Sequence, residues 1–260
     1  MDCFFYGKGI EKEVRLPNII NKLYNINMPL RKDNLVQGEI YHIYNRGVDK
    51  RDIFMDDGDR FRFIHDLFEF NDKNASLKLN YFLLNNSEVG LPNIKREPRK
   101  VLVEILAFCM MDNHYHLIVR QKAENGITEF MRKLGTGYTN YFNQKYERTG
   151  ALFQGRFKSV CIKNDAHLMY LPIYLHLNPL DFKFHGWRDK KIKNYKEAIE
   201  FLDSYRWSSY MDYTGQKNFP SLIKKDFILS RIGDEKNFKK EIIDWLKNFD
   251  ESDILGVSLE

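Results

Sequence analysis

Two histidines separated by one residue are the first feature of the sequence that could do chemistry. His114 and His116 lie in the stretch CMMDNHYHLIVR, residues 109–120, which is otherwise largely apolar. Successive side chains of a β-strand point to opposite faces, so the two imidazoles share one face and Tyr115 points to the other. Two neutral imidazoles at this spacing can bind one divalent cation. In a chain with 7 histidines among 260 residues such a pair also arises by chance, so a metal site needs further ligands.

A tyrosine and an asparagine four residues apart are the second candidate. Tyr174 and Asn178 lie in YLPIYLHLNP, residues 170–179, and share one face if this stretch is helical. An amide oxygen is a hard ligand suited to Mg²⁺ or Mn²⁺, and a tyrosine hydroxyl beside a metal can act as a nucleophile. A phosphate oxygen of a substrate would then complete the coordination. The same residues also fit a half-buried helix aromatic followed by an asparagine that ends the helix before Pro179.

Other side chains compete for these roles. Tyr170 lies one turn before Tyr174 but has no asparagine four residues later. Pro172 lies between the two tyrosines and predicts a kink or a new helix start, because proline lacks a backbone donor. His176 faces away from Tyr174 and is expected at the surface or on a phosphate. Four further rings are expected to be structural, or, for the tyrosines, to stack on DNA: His42, His65, Tyr138 and Tyr141.

Six polar side chains form two clusters that are predicted to contact DNA. In LFQGRFK, residues 152–158, strand alternation places the polar side chains on the face opposite the phenylalanines. Basic side chains beside aromatic rings suit contact with a nucleic-acid backbone and stacking on bases. An ordinary amphipathic edge strand has the same pattern. The predicted contacts are Gln154, Arg156 and Lys158 in this stretch, and Arg46, Lys50 and Arg51 after the first predicted strand.

The elements that would position these residues follow from the apolar periodicity. Strands are predicted at residues 39–48, 76–84, 101–111, 114–120 and 152–163, and helices at 56–72, 125–146, 166–177 and 238–246. Asp165 is the predicted N-cap of the third helix. Short turns between adjacent strands favour antiparallel pairing. The sequence therefore predicts an α+β sandwich, in which helices pack on a mostly antiparallel sheet.

Composition limits the protein class without fixing the function. Apolar residues make up 43% of the chain, which is enough for a folded core and excludes general disorder. A net charge of +5 is compatible with a nucleic-acid partner but does not require one. The three cysteines, Cys3, Cys109 and Cys161, form no CxxC pair, which argues against a disulfide framework or a cysteine-based zinc site. No signal peptide or membrane-spanning run is evident, so a soluble, cytoplasmic protein is expected.

Five segments, taken in order, resemble the REP-associated tyrosine transposases, a branch of the single-strand HUH transposases. They are EIYHIYNRGVDKRDIF, CMMDNHYHLIVR, YTNYFNQKYERTGALFQGRFK, YLHLNP and YRWSSY. The resemblance implies a ferredoxin-like core with the histidines on a central strand. It implies that His114, His116 and Asn178 hold Mg²⁺ or Mn²⁺ and that Tyr174 is the nucleophile. In this family the tyrosine becomes joined to the 5′ end of cleaved single-stranded, hairpin-forming DNA and leaves a free 3′ hydroxyl.

The resemblance also implies a domain organisation. It predicts an N-terminal appendage at residues 1–30, a catalytic domain at 31–182 and a C-terminal helical extension at 183–260, in a monomer or homodimer. Residues 85–100 are expected to be a loop insertion, and Met28 is an alternative translation start. Two other functions remain open. One is a non-catalytic protein that binds single-stranded DNA or RNA on the same fold, and the other is a metal hydrolase that acts on a small molecule.

Overall fold

A computed structural model describes residues 35–74, 98–189, 192 and 194–248. The predicted strand at 76–84, most of the predicted loop at 85–100, the appendage at 1–30 and the last twelve residues lie outside them.

Four strands form one sheet. They are β1 (Ile40–Arg46), β2 (Val103–Met111), β3 (His114–Gln121) and β4 (Lys158–Cys161). The strand order is β2-β3-β1-β4, and every neighbouring pair is antiparallel. One helix follows β1 and another follows β3, which gives the β-α-β-β-α-β order of a ferredoxin-like fold. The predicted α+β class is confirmed, and β3, which carries the paired histidines, is a central strand.

Two helices cover one face of the sheet. They are α1 (Asp57–Glu69) and α2 (Gly126–Lys145). The ring of Tyr115 on β3 lies 4.9 Å from that of Phe63, which in turn lies 5.0 Å from that of Tyr138 on α2. The hydroxyl of Tyr138 donates a hydrogen bond to the carbonyl of Ile53 at 2.6 Å. Tyr138 is therefore a core residue, as the apolar periodicity of α2 predicts.

Five more helices follow β4 within the described residues. They are α3 (Asp165–Leu177), α4 (Tyr195–Ser204), α5 (Tyr210–Tyr213), α6 (Asp226–Ile232) and α7 (Glu235–Asn248). Short 3₁₀ segments lie at Val48–Lys50 and Asn178–Phe182. The predicted helix at 238–246 lies inside α7. The described residues after 182 form these helices and the segments that connect them. The predicted domain boundary at residue 182 stays a prediction. None of the helices in the described ranges is long and apolar enough to cross a membrane.

Helix α3 departs from the sequence prediction in two ways. Its N-cap is Asn164 rather than Asp165, because the extended Asn164 places its side-chain oxygen 2.7 Å from the amide of His167. The helix also continues through Pro172 without restarting. Proline costs the helix one hydrogen bond, yet the residues that follow it in α3, from Ile173 to Leu177, are all buried. Burial of this apolar turn offsets the lost bond and keeps the helix continuous.

The predicted strand at residues 152–163 is much shorter in the structure. Only Lys158–Cys161 pair as β4, while Phe153 makes an isolated bridge with Gly47. Residues 154–156 form bends and not strand, so the alternation of faces does not apply to Gln154 and Arg156. The predicted strand is therefore wrong before residue 158, and alternation does not place these two side chains on one face with Lys158.

A short segment pairs with the free edge of β2. The amide of Met110 donates to the carbonyl of Trp207 at 2.9 Å, and the amide of Ser209 donates to the carbonyl of Phe108 at 2.9 Å. The hydroxyl of Ser209 lies 2.7 Å from Nε2 of His176, which is fully buried. The prediction that His176 is a surface or phosphate contact is wrong, because this histidine fastens α3 to the β2 edge. The YRWSSY stretch thus has a structural role at the β2 edge.

Candidate active site

The paired histidines lie next to each other on the face of the sheet opposite α1 and α2. Their ring centroids are 4.9 Å apart. His116 is buried and His114 is half-buried. On the neighbouring strand, Arg46 is paired with His114 and Tyr44 with His116. Strand alternation has therefore brought two imidazoles and an arginine to one face of the sheet.

Each imidazole has a polar neighbour at its Nδ1 atom. Nδ1 of His114 lies 2.6 Å from Oδ1 of Asn113, and Nδ1 of His116 lies 2.9 Å from Nε2 of His42. A carboxamide oxygen only accepts, so His114 carries its proton on Nδ1 and keeps a lone pair on Nε2. His116 has the same tautomer when it donates to His42. This is the arrangement that metal-binding histidines adopt.

Burial keeps these imidazoles neutral. It lowers the pKa of His114 to about 4, with a further contribution from Arg46, and lowers the pKa of His42 to about 3. Burial is also the main reason that the pKa of His116 is well below its usual value. Neutral imidazoles can donate a lone pair to a cation at physiological pH.

The second half of the site is the C-terminal end of α3. Tyr174 is only 8% exposed, and Asn178, at the start of the 3₁₀ segment, is 2% exposed. One guanidinium joins them: Nη1 of Arg188 donates to the Tyr174 hydroxyl, and Nη2 of Arg188 donates to Oδ1 of Asn178 at 3.1 Å. Arg188 thereby bonds both Tyr174 and Asn178, the two residues that the sequence pattern singled out.

Arg188 also links this helix end to the histidines. Burial is the main cause of the lowered pKa of His114 and of His116, and the positive charge of Arg188 is a smaller cause in both cases. The carboxylate of Asp181 acts on His114 in the opposite direction. Residues of α3 pack against β2, and so do residues of the 3₁₀ segment Asn178–Phe182. Arg188 and Asp181 therefore lie close enough to the histidines for their charges to act on them.

Two atoms of buried side chains here suit a divalent cation. Nε2 of His116 is buried and has no hydrogen-bond partner among the described residues. Oδ1 of Asn178 retains a second lone pair beside its bond from Arg188. Within the described part of the chain, no three His, Cys, Asp or Glu side chains could together hold a metal ion. A site here would thus combine two imidazoles, one carboxamide and oxygen atoms from outside the protein.

The competing tyrosines have other environments. The ring of Tyr170 lies 6.3 Å from that of Tyr174 and 5.9 Å from that of Trp245 on α7. The Tyr141 hydroxyl donates to the buried carboxylate of Asp59 at 3.0 Å.

The six predicted DNA contacts lie at accessible positions. Five of the side chains are exposed and Arg46 is half-buried beside His114. Lys158 is paired with Tyr44, so it lies on the same face of the sheet as His116. The side-chain amide of Asn113 donates to the carbonyl of Lys50 at 3.1 Å, which connects the Lys50 turn to the residue before His114. The exposed five are Lys50, Arg51, Gln154, Arg156 and Lys158.

Sequence reasoning missed the residues that organise the site. Arg188 and Asp181 follow α3 in irregular and 3₁₀ structure, where no spacing rule applies. His42 was interpreted as a plain structural histidine, although it contacts His116. The alternation of the YHIY stretch indicates which face of β1 carries His42. That face can be matched to His116 only when the pairing of β1 with β3 is known.

Two of three comparisons with known proteins found a similarity to this chain. Residues 93–177, which include both histidines and Tyr174, match the family model described as Transposase IS200 like. This segment is therefore similar to the IS200-like transposases, in line with the resemblance noted in the sequence. No curated protein matches the chain. The chain is also similar to a solved structure described as "Structure of the REP associates tyrosine transposase bound to a REP hairpin", with 14% identity, coverage of 74% of this chain and 89% of that chain, and a TM-score of 0.44.

Proposed function

We propose that the protein is a tyrosine transposase that cleaves and rejoins single-stranded DNA through a covalent 5′-phosphotyrosine. The observation that carries the proposal is the guanidinium of Arg188, which bonds Tyr174 and Asn178 and acts electrostatically on both histidines. The family match supports transposition as the biological class of the reaction.

In this proposal His114, His116 and Asn178 would hold Mg²⁺ or Mn²⁺. The neutral imidazoles, the buried Nε2 of His116 without a described partner and the carboxamide oxygen of Asn178 fit such an ion. When bound, the ion would supply Lewis-acid polarisation of the scissile phosphate.

Tyr174 performs the bond exchange. Its hydroxyl oxygen attacks the phosphorus, the new oxygen–phosphorus bond forms and the bond from phosphorus to the 3′ oxygen breaks. The phenolic proton is released, and the departing 3′ oxygen takes up a proton. The number of phosphodiester bonds is unchanged, so a later 3′ hydroxyl can reverse the step without an external energy source. The sequence accordingly contains no GxxxxGK[ST] nucleotide-binding loop.

Basic side chains around the histidines would bind the DNA backbone. Arg46 pairs with His114 across β1 and β3, and Lys158 lies on the same face of the sheet. Their charges would neutralise phosphates on either side of the cleavage point. A single strand suits this site, since a nucleophile that is only 8% exposed requires a scissile phosphate that can enter deeply. A hairpin beside that strand is expected from the sequence resemblance.

The test is incubation with a labelled hairpin oligonucleotide that carries a single-stranded flank, in the presence of Mn²⁺. A covalent protein–DNA band on a denaturing gel is expected for the wild-type protein, and a chelator should abolish it. Salt-sensitive binding with no covalent band under any of these conditions would instead support a non-catalytic binding protein on the same fold.

A further inference from the structure

One arginine is fixed against the proposed nucleophile by several contacts. Nη2 of Arg188 donates to Oδ2 of Asp181 at 2.6 Å, and the other oxygen of Asp181 accepts from Nε1 of Trp187 at 2.6 Å. The guanidinium carbon lies 4.4 Å from the ring centroid of Trp187 and 5.2 Å from that of Tyr174. Because Trp187 is buried, this stacking and bonding hold the guanidinium in one orientation.

We propose that Arg188 is a catalytic residue that holds the Tyr174 hydroxyl for attack and contacts the phosphate under attack when DNA is bound. This inference rests on the proposed function of the site. The direction of the hydrogen bond supports it. A guanidinium has no acceptor, so the hydroxyl oxygen of Tyr174 must accept from Arg188. A cationic donor at that oxygen favours the phenolate over the phenol.

The accessibility of Arg188 supports the second part of the proposal. Its side chain is 35% exposed although it bonds buried partners. A guanidinium that is preorganised at the attacking oxygen can also stabilise the charge that develops on the phosphate. Lysine would be a poor replacement, because one ammonium group cannot match the planar geometry that joins two partners at once.

Asp181 restrains the same guanidinium. Its carboxylate is 39% exposed, and it partly compensates the charge of Arg188 near the histidines. The guanidinium can therefore remain beside a cation-binding site at a lower electrostatic cost than an unpaired arginine. This arrangement differs from a simple surface ion pair, since both the nucleophile and the carboxamide are bonded to the same arginine.

The experiment measures single-turnover adduct formation by Arg188→Ala and Arg188→Lys. We expect Arg188→Ala to slow the reaction about 100-fold or more, the loss that is typical of removing one charge-stabilising donor. The rate of adduct formation by Arg188→Lys should lie between the rates of Arg188→Ala and the wild type. Arg231→Ala is the matched control, because the Arg231 side chain is also 35% exposed and also forms an ion pair, with Asp165. The control should react at the wild-type rate.

Two further readouts separate catalysis from structure. In Arg188→Ala, the pH at which the adduct rate is half-maximal should move upward, because the phenolate has lost its cationic donor. Binding of Mn²⁺, measured by calorimetry without DNA, should be as tight as in the wild type or tighter, because a nearby positive charge is gone. A wild-type or faster rate in Arg188→Ala, or an unmoved pH profile, would overturn the role of Arg188. Absence of an adduct in the wild type would instead defeat the proposed function itself.

Discussion

His116 on β3 and His42 on β1 are joined through their imidazole nitrogens, with Nδ1 of His116 lying 2.9 Å from Nε2 of His42. Both rings are buried and nearly parallel, with an angle of 18° between their planes. His42 therefore sets the orientation of His116, and when it accepts the bond it leaves Nε2 of His116 available to a cation. In this account His42 positions a proposed ligand but does not bind the metal itself.

His42→Phe should weaken Mn²⁺ binding by about 10- to 100-fold, the usual cost of losing a partner that orients a metal-binding histidine. Phenylalanine retains an aromatic ring at this buried position but cannot accept a hydrogen bond. Calorimetric titration of the DNA-free protein measures the change. His65→Phe is the control, because the His65 side chain is 44% exposed on α1. Equal affinities of the wild-type protein and His42→Phe would refute the positioning role.

Asp59 should be one of the most sensitive positions for stability. It is fully buried, and its carboxylate accepts bonds from Lys145, Tyr141 and Tyr146. Asp59→Ala removes the acceptor of these groups, although Lys145 keeps its bonds to Asp56, so we expect a loss of about 1–3 kcal/mol in the free energy of unfolding. Urea denaturation of the variant and the wild-type protein measures this difference in the free energy of unfolding.

The control for that prediction is Asp57→Ala in the same helical turn. The Asp57 side chain is 70% exposed and forms only a 3.6 Å ion pair with Arg60. Its replacement should change stability by about 1 kcal/mol or less. Similar losses in the two variants would mean that the buried network around Asp59 contributes little.

The exposed basic side chains near β4 should determine the salt dependence of DNA binding. Arg156→Ala and Lys158→Ala should each reduce the slope of log affinity against log salt by about 0.7 for a single strand. Fluorescence anisotropy with a labelled oligonucleotide at several salt concentrations gives the slope. Lys196→Ala on α4, with a side chain that is 87% exposed, should leave it unchanged. A slope that is equally insensitive to all three changes would place the DNA elsewhere on the surface.

Much of the fold was predictable because its signals are local. Alternation in HYHLIVR predicts β3 and the shared face of His114 and His116, and the two-residue turn at Asp112 and Asn113 requires antiparallel pairing with β2. Helical spacing of apolar residues predicts α1 and α2. These patterns depend only on side-chain geometry within one element.

The remaining features depend on contacts between distant parts of the chain. The bonds of Arg188 to Tyr174 and Asn178 form only because the chain folds back after α3. The burial of His176 depends on Ser209, which is 33 residues away. The bends at residues 154–156, which leave only Lys158–Cys161 paired as β4, are not visible in a count of alternating residues. In each of these cases tertiary structure overrides or supplements the local pattern.

The most direct test of the central claim is to locate the nucleotide on the protein. After reaction with a hairpin oligonucleotide and Mn²⁺, nuclease and trypsin digestion should yield a modified peptide covering residues 164–183, which contains both Tyr170 and Tyr174. Fragmentation in the mass spectrometer distinguishes the two tyrosines. We predict that the nucleotide is attached through its 5′ phosphate to Tyr174, and that Tyr174→Phe removes the modification whereas Tyr170→Phe retains it. Attachment to Tyr170, or to any residue outside this peptide, would contradict the account.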